Sequence, residues 1–166
     1  MFDENIKKAN KVKADTIIKA LEKRGMKGYY CDTREEALEL ALSFINEGDK
    51  VACGGSMTLG EIGLKDRLGN MNIDWVDPFK LTDADEMFAE RVRTLTTDIY
   101  FMSSNAVTMD GILVNIDGTG NRVAALCYGP KKVVLVVGAN KIVGSEDEAV
   151  ARIKTDACPP NCARLG

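Results

Sequence analysis

The sequence predicts an α/β fold, with a mixed, mainly parallel sheet flanked by helices. Three observations lead there. Short apolar runs, KVACGG (50–55), DIYFMSS (98–104) and VVLVVG (133–138), alternate with segments of helical periodicity. The last of these runs is continuous and β-branched, as in strands buried on both faces of a parallel sheet. The dipeptide Asp110-Gly111 splits the alternating apolar residues of AVTMDGILVNID, which signals a hairpin and so an antiparallel pair.

The elements follow in order. Ile6, Ala9, Val12, Ile17 and Leu21, set among lysines, predict a surface helix over residues 3–24, with Gly25 as its C-terminal stop. GYYCD (28–32) reads as a short strand. Thr33 and Glu36 have capping-box spacing and open the helix REEALELALSFINEG. KVACGG is a strand ending in glycines, and Thr58 with Glu61 repeats the capping spacing for a helix over about 56–67. NIDWVD (72–77) predicts a strand, TDADEMFAERVRTL (82–95) a helix and DIYFMSS a further strand. After the hairpin and VVLVVG, Ser145 and Glu148 cap a last helix, EDEAVARIK, and residues 157–166 form a proline- and cysteine-containing tail.

Length and composition bound the function. A chain of 166 residues suits a single domain over 1–166, and 45% hydrophobic with 28% charged residues is a globular balance. The formal net charge of −3 gives no general attraction to nucleic acid or to an acidic membrane. The polar N-terminus lacks the apolar core of a signal peptide, and no run reaches the roughly 18 apolar residues of a membrane span. A cytoplasmic protein is expected. Five cysteines, an odd number, then argue for free thiols or metal ligands over a disulfide framework.

Two glycine-containing motifs carry the candidate chemistry. CGGSMTLGEIG (53–63) is a strand-to-helix turn whose backbone N–H groups, at Gly54, Gly55 and Ser56, can hold phosphate or carboxylate, with hydroxyls from Ser56 and Thr58. It is neither a Walker A sequence nor a dinucleotide fingerprint, so no nucleotide cofactor is indicated. Glu61 has two readings, capping residue or base facing the cleft, and the spacing favours the cap. Ser103, Ser104 and Asn105 end a strand and suit either a polar ligand or the turn itself.

In DGILVNIDGTGNR (110–122), Gly111, Gly118 and Gly120 can adopt positive φ, while Asp110, Asn115, Asp117 and Asn121 can bond local backbone. Arg122 behind this loop suits a bidentate grip on an anion. On that reading Arg122→Ala weakens anion binding and leaves the fold intact. With no histidine in the chain, Glu61 and Asp110 are the candidate catalytic carboxylates. Cys158 and Cys162 of CPPNC are the candidate metal ligands; zinc and iron–sulfur sites normally take four protein ligands, so two cysteines do not complete one.

GGSMTLGEIG together with SSNAVTMDGILVNIDGTGNRVAALCYGPKKVVLVVGANKIV resembles the LUD domain family, named for lactate utilization, from about residue 10 to the end of the chain. The resemblance implies a small stand-alone form, with a fold similar to the ribose-5-phosphate isomerase, glucosamine-6-phosphate deaminase and CoA-transferase group. In those relatives the glycine loop binds phosphate or carboxylate, which carries onto Gly54, Gly55, Ser56 and Thr58. Isomerase relatives use a carboxylate base and CoA-transferases a glutamate nucleophile; Glu61, Asp110 and Asp117 are the candidates here. Some family members act in multi-subunit systems oxidising lactate to pyruvate, with iron–sulfur partner subunits, and the resemblance implies such partners here.

Three functions follow as expectations. The first is a subunit or accessory of lactate oxidation binding an anionic metabolite, a 2-hydroxy or 2-oxo acid or a phosphate ester. The second is a free-standing isomerase or acyl/CoA-transferase-type enzyme, and the third a non-catalytic binding module or homo-oligomer component.

Overall fold

A computed structural model describes the backbone of residues 2–165 and the side chains of residues 4–164. In chain order the elements are α1 (Phe2–Glu22), α2 (Arg34–Leu42), β1 (Lys50–Cys53), α3 (Met57–Glu61), α4 (Leu64–Leu68), β2 (Asp74–Val76), α5 (Ala84–Thr94), β3 (Ile99–Met102) and β4 (Ala106–Thr108). Then come β5 (Leu113–Val114), α6 (Asn121–Cys127), β6 (Lys132–Leu135), β7 (Ile142–Val143), α7 (Glu146–Arg152) and α8 (Cys158–Leu165). The chain divides into two compact units.

One unit comprises Thr33–Ser103 and Asp117–Val136. Its sheet has the order β2-β1-β3-β6 and every neighbouring pair is parallel. Side chains alternate across a strand, so Val51, Cys53, Ile99 and Phe101 share one face. They form a core with Leu59, Leu64 and Leu68 of α3 and α4, against which Ala37 and Leu38 of α2 pack. Ala52, Val76, Tyr100 and Met102 share the opposite face and pack with Leu95 and with Ala125 of α6. Layers of helix, parallel sheet and helix result, which is the α/β class expected.

The other unit comprises the residues up to Asp32, Ser104–Ile116 and those from Val137 onward. Its sheet has the order β5-β4-β7, with β4–β5 antiparallel and β4–β7 parallel. The Asp110-Gly111 hairpin is therefore present, and the mixed pairing lies in this second sheet. Gly111 has φ +80°, and its α-carbon faces α1 so closely that a Cβ would stand 3.1 Å from Ala20 Cβ. The buried residues of this unit include Ile17, Ala106, Val107, Ala149 and Ile153.

Several elements differ from expectation, each for a local reason. GYYCD forms no strand; it lies along α1, where a Cβ on Gly28 would meet Ile18 Cγ1 at 2.7 Å and Lys11 sits over the Tyr30 ring. The helix opened by Thr33 ends at Leu42, and Asp49 Oδ2 accepts from the Asn46 N–H at 2.8 Å to form a turn. The expected helix at 56–67 breaks in two at Gly63, φ +74°. β6 is an edge strand and only half-buried. β7, two residues long, is too short to leave a periodic signal. Residues 158–165 of the expected tail are helical, following a π-helical turn at Ile153–Ala157. Among the described residues no helix is long and apolar enough to cross a membrane.

Candidate functional site

The glycine turn lies at the carboxyl end of β1, beside the carboxyl end of β3. Parallel strands bring their last residues to one edge, and Gly54 extends the ladder by donating to the Phe101 carbonyl at 2.8 Å. Gly54 and Gly55 are glycines because both flanks are occupied. A Cβ on Gly54 would lie 3.2 Å from the Tyr100 hydroxyl and 3.5 Å from Arg122 Cδ. One on Gly55 would lie 3.2 Å from the Phe79 ring. Beyond them, the backbone N–H groups of Gly55, Ser56 and Met57 have no acceptor among the described residues.

Ser56 is the N-cap of α3 by backbone conformation, with no side-chain cap bond. Thr58 lies one residue inside the helix, so the Thr58–Glu61 capping box is not formed. Glu61 makes an exposed ion pair with Arg34 Nη2 at 3.2 Å. That carboxylate is about half exposed. The capping reading taken from its spacing gives way to a surface pair.

The loop before α6 closes on the same turn. Asp117 accepts from Arg122 Nη2 at 2.7 Å and from the Val123 N–H at 2.6 Å. Arg122 Nη1 donates to the Ser103 carbonyl at the end of β3, 3.0 Å away. The pair is largely buried, with side-chain exposures of 14% and 9% for Arg122 and Asp117. Gly120, φ +77°, turns the chain into α6, and Thr119 donates to Asn121 Oδ1 at 2.7 Å. Gly118 is exposed. Thus Gly54, Gly55, Asp117 and Arg122 come together, while the Thr119 and Asn121 side chains bond each other.

Two groups beneath the turn titrate far from their usual ranges. Burial pushes the Cys53 thiol up to about 12, with Lys65 opposing and Asp77 adding to the rise. Burial likewise pushes the Tyr100 phenol up, helped by Cys53 and Asp117 and opposed by Arg122. Both are neutral at ordinary pH, so the charges near the turn are those of the Asp117–Arg122 pair, Lys65 and Asp77.

The remaining candidates belong to the other unit and are held by its own backbone. Ser104 Oγ donates to the Ala106 and Val114 carbonyls, at 2.7 and 3.2 Å. Asn105 Oδ1 accepts from the Ile116 N–H at 3.0 Å, and its carbonyl accepts from Arg152 at 2.6 Å. Asp110 accepts from the Thr108 hydroxyl, and its carbonyl accepts from Arg24, so this exposed residue serves the hairpin turn. Cys158 and Cys162 are free thiols one turn apart on α8, the second exposed. Among the described residues no three His, Cys, Asp or Glu side chains are grouped to hold a metal ion.

Sequence reasoning missed Tyr100 and Phe79, the two rings that flank the glycines. Tyr100 has a signal in retrospect: β3 alternation puts it on the face of Ala52, one strand over from Gly54. Phe79 has none, because the turn after β2 places it. The family model for the LUD domain matches residues 14–166, which includes both motifs, the whole of the Thr33–Ser103 and Asp117–Val136 unit and most of the other. The chain belongs to the LUD domain family. Searches of curated proteins and of solved structures return no match. In this LUD domain the glycine turn and the Asp117–Arg122 loop are therefore parts of one matched region.

Proposed function

We propose that this LUD domain binds an anionic small metabolite at the carboxyl ends of β1 and β3. The ligand class is a 2-hydroxy or 2-oxo acid, or a phosphate ester. The observation that carries the reading is the glycine turn itself: three successive N–H groups without an acceptor among the described residues, with the stem of Arg122 alongside, its Cδ 3.5 Å from the Cβ position of Gly54. Backbone N–H groups left without acceptors at a strand-to-helix turn are what an anion requires. Arg122, already joined to Asp117 and Ser103, acts by its position and field and holds the loop in place.

The family supports a role for this binding in lactate utilization. On that reading the chain is a subunit or accessory of lactate oxidation to pyruvate, and partner subunits carry the iron–sulfur centres. A likeness to the ribose-5-phosphate isomerase, glucosamine-6-phosphate deaminase and CoA-transferase group belongs to the same proposal, supported by the parallel sheet with a glycine turn at its carboxyl edge.

Thermal shift against lactate, pyruvate, a sugar phosphate and CoA tests it. Preferential binding to the folded state gives a saturable rise with one class, worth about 2.7 kcal/mol at a hundredfold excess over Kd. Gly55→Ala is the companion variant. Its Cβ meets only the rim of the half-exposed Phe79, so the fold persists while close approach to the turn is blocked. A rise that is unchanged in Gly55→Ala, or no rise with any class, refutes the site.

A further inference from the structure

A second surface of the Thr33–Ser103 and Asp117–Val136 unit has features of a binding site and is not used by the proposal above. Phe88, Arg91, Val92 and Leu95 follow one another at helical spacing along α5 and its C-cap. They face Thr119, Asn121 and the start of α6 across a groove of about 450 Å³. That volume is within the range of small-molecule sites. Its floor is apolar, and Phe88 and Val92 are 68% and 47% exposed, a large cost in apolar hydration for a helix face.

Arg91 is the unusual member. It is half-buried in the groove, and its guanidinium has no hydrogen bond or ion pair among the described residues, although its carbonyl accepts from the Thr94 hydroxyl. Its neighbour Arg93, by contrast, is bound by both Asp74 and Glu90. No carboxylate lines the groove. A guanidinium that has lost part of its hydration and gained no counter-charge favours an incoming acid group, in a bidentate geometry. The hydroxyl and amide of Thr119 and Asn121 stand opposite it on the rim.

We infer that the α5–α6 groove binds a small organic acid with a flat or branched apolar body, of the aryl carboxylate class. The acid group pairs with Arg91 and the body covers Phe88, Val92 and Leu95. This site is separate from the glycine turn and stands or falls independently of it.

The probe is the fluorescent aryl acid anilinonaphthalene sulfonate, with naphthoate as carboxylate competitor and phenylnaphthylamine as the uncharged comparison. The intact chain is expected to bind one equivalent of dye, displaced by naphthoate and not by inorganic phosphate or pyruvate. Arg91→Gln and Phe88→Ala should each weaken the dye by about tenfold or more, with unchanged circular dichroism. Arg91→Lys should recover part of the loss, and phenylnaphthylamine should not respond to Arg91→Gln. Equal dye affinity in Arg91→Gln overturns the inference, as does absence of saturable binding. Displacement by phosphate or pyruvate assigns the dye to the glycine turn and overturns it too. A dimer in light scattering that Phe88→Ala converts to monomer makes the groove an interface between copies, which likewise overturns the small-acid site.

Discussion

Arg122 and Asp117 show how two residues can be singled out in a sequence while their pairing with each other goes unseen. The sequence marks both, because each sits in a glycine loop suited to anions. Their mutual geometry is invisible in it, since it depends on Gly120 turning at φ +77° and on Ser103 ending β3 beside them. The expectation that Arg122→Ala leaves the fold intact is corrected on this ground. Removing the guanidinium leaves a carboxylate only 9% exposed without its counter-charge and takes a donor from the Ser103 carbonyl. Breaking one side of a buried pair costs about 3–5 kcal/mol, toward the lower end here because the Arg122 side chain keeps some contact with water. Urea unfolding followed by the fluorescence of Trp75, the single tryptophan, on β2 of the same unit, measures it. The double variant Arg122→Ala with Asp117→Asn should recover part of the loss, since no unpaired charge remains. Full additivity of the two losses would mean that the pair is not coupled.

At the scale of elements, the capping residues separate what is legible from what is not. Thr33 and Ser145 are legible from spacing, and each accepts the N–H three residues on, at 3.1 and 3.2 Å. Thr58 with Glu61 has the same spacing and does something else, because the glycine turn starts α3 one residue past Ser56, so Thr58 falls inside the helix. A pattern of two residues cannot report where the preceding strand ends. Thr33→Ala should therefore cost about 1 kcal/mol, the usual value of an N-cap, and Thr58→Ala less. Glu61→Gln should change stability by under about 1 kcal/mol, as expected for an exposed ion pair with Arg34. Urea midpoints at constant m-value decide both, and a loss in Thr58→Ala matching Thr33→Ala would restore the capping box. GYYCD misleads for a related reason: its apolar residues pack on α1, and nothing in a strand-like composition says whether a pairing partner exists.

For the whole molecule, the alternation of strands and helices is enough for the α/β class, and KVACGG, DIYFMSS and VVLVVG supply β1, β3 and β6 of one parallel sheet. Periodicity does not show that the hairpin strands join β7 in a second sheet, because sheet membership is decided by long-range pairing and β7 has only two residues. The two faces of the parallel sheet carry a consequence for stability at high pH. Cys53 and Tyr100 lie on opposite faces and both are buried, at 3% and 1% exposure. In the unfolded chain Cys53 loses its proton near its ordinary value of 9.0, whereas in the fold it holds the proton until about 12. Over that interval the unfolded state binds fewer protons, so the stability contributed by the neutral thiol, complete below pH 9, falls as pH rises toward 12. One proton corresponds to about 1.4 kcal/mol per pH unit. Tyr100, raised from an ordinary value of 10.0, adds a second proton of the same sign above that pH. Stability measured through Trp75 should therefore decline with slope near one proton between pH 9 and 10 and steepen beyond. Cys53→Ala should remove the first proton and Tyr100→Phe the second, whatever each does to stability at neutral pH. An undiminished slope in Cys53→Ala would mean that the thiol ionises in the folded state as readily as in the unfolded one, and Cys53 would then have to be reached by water in a way that its packing with Leu59 and Phe101 does not allow.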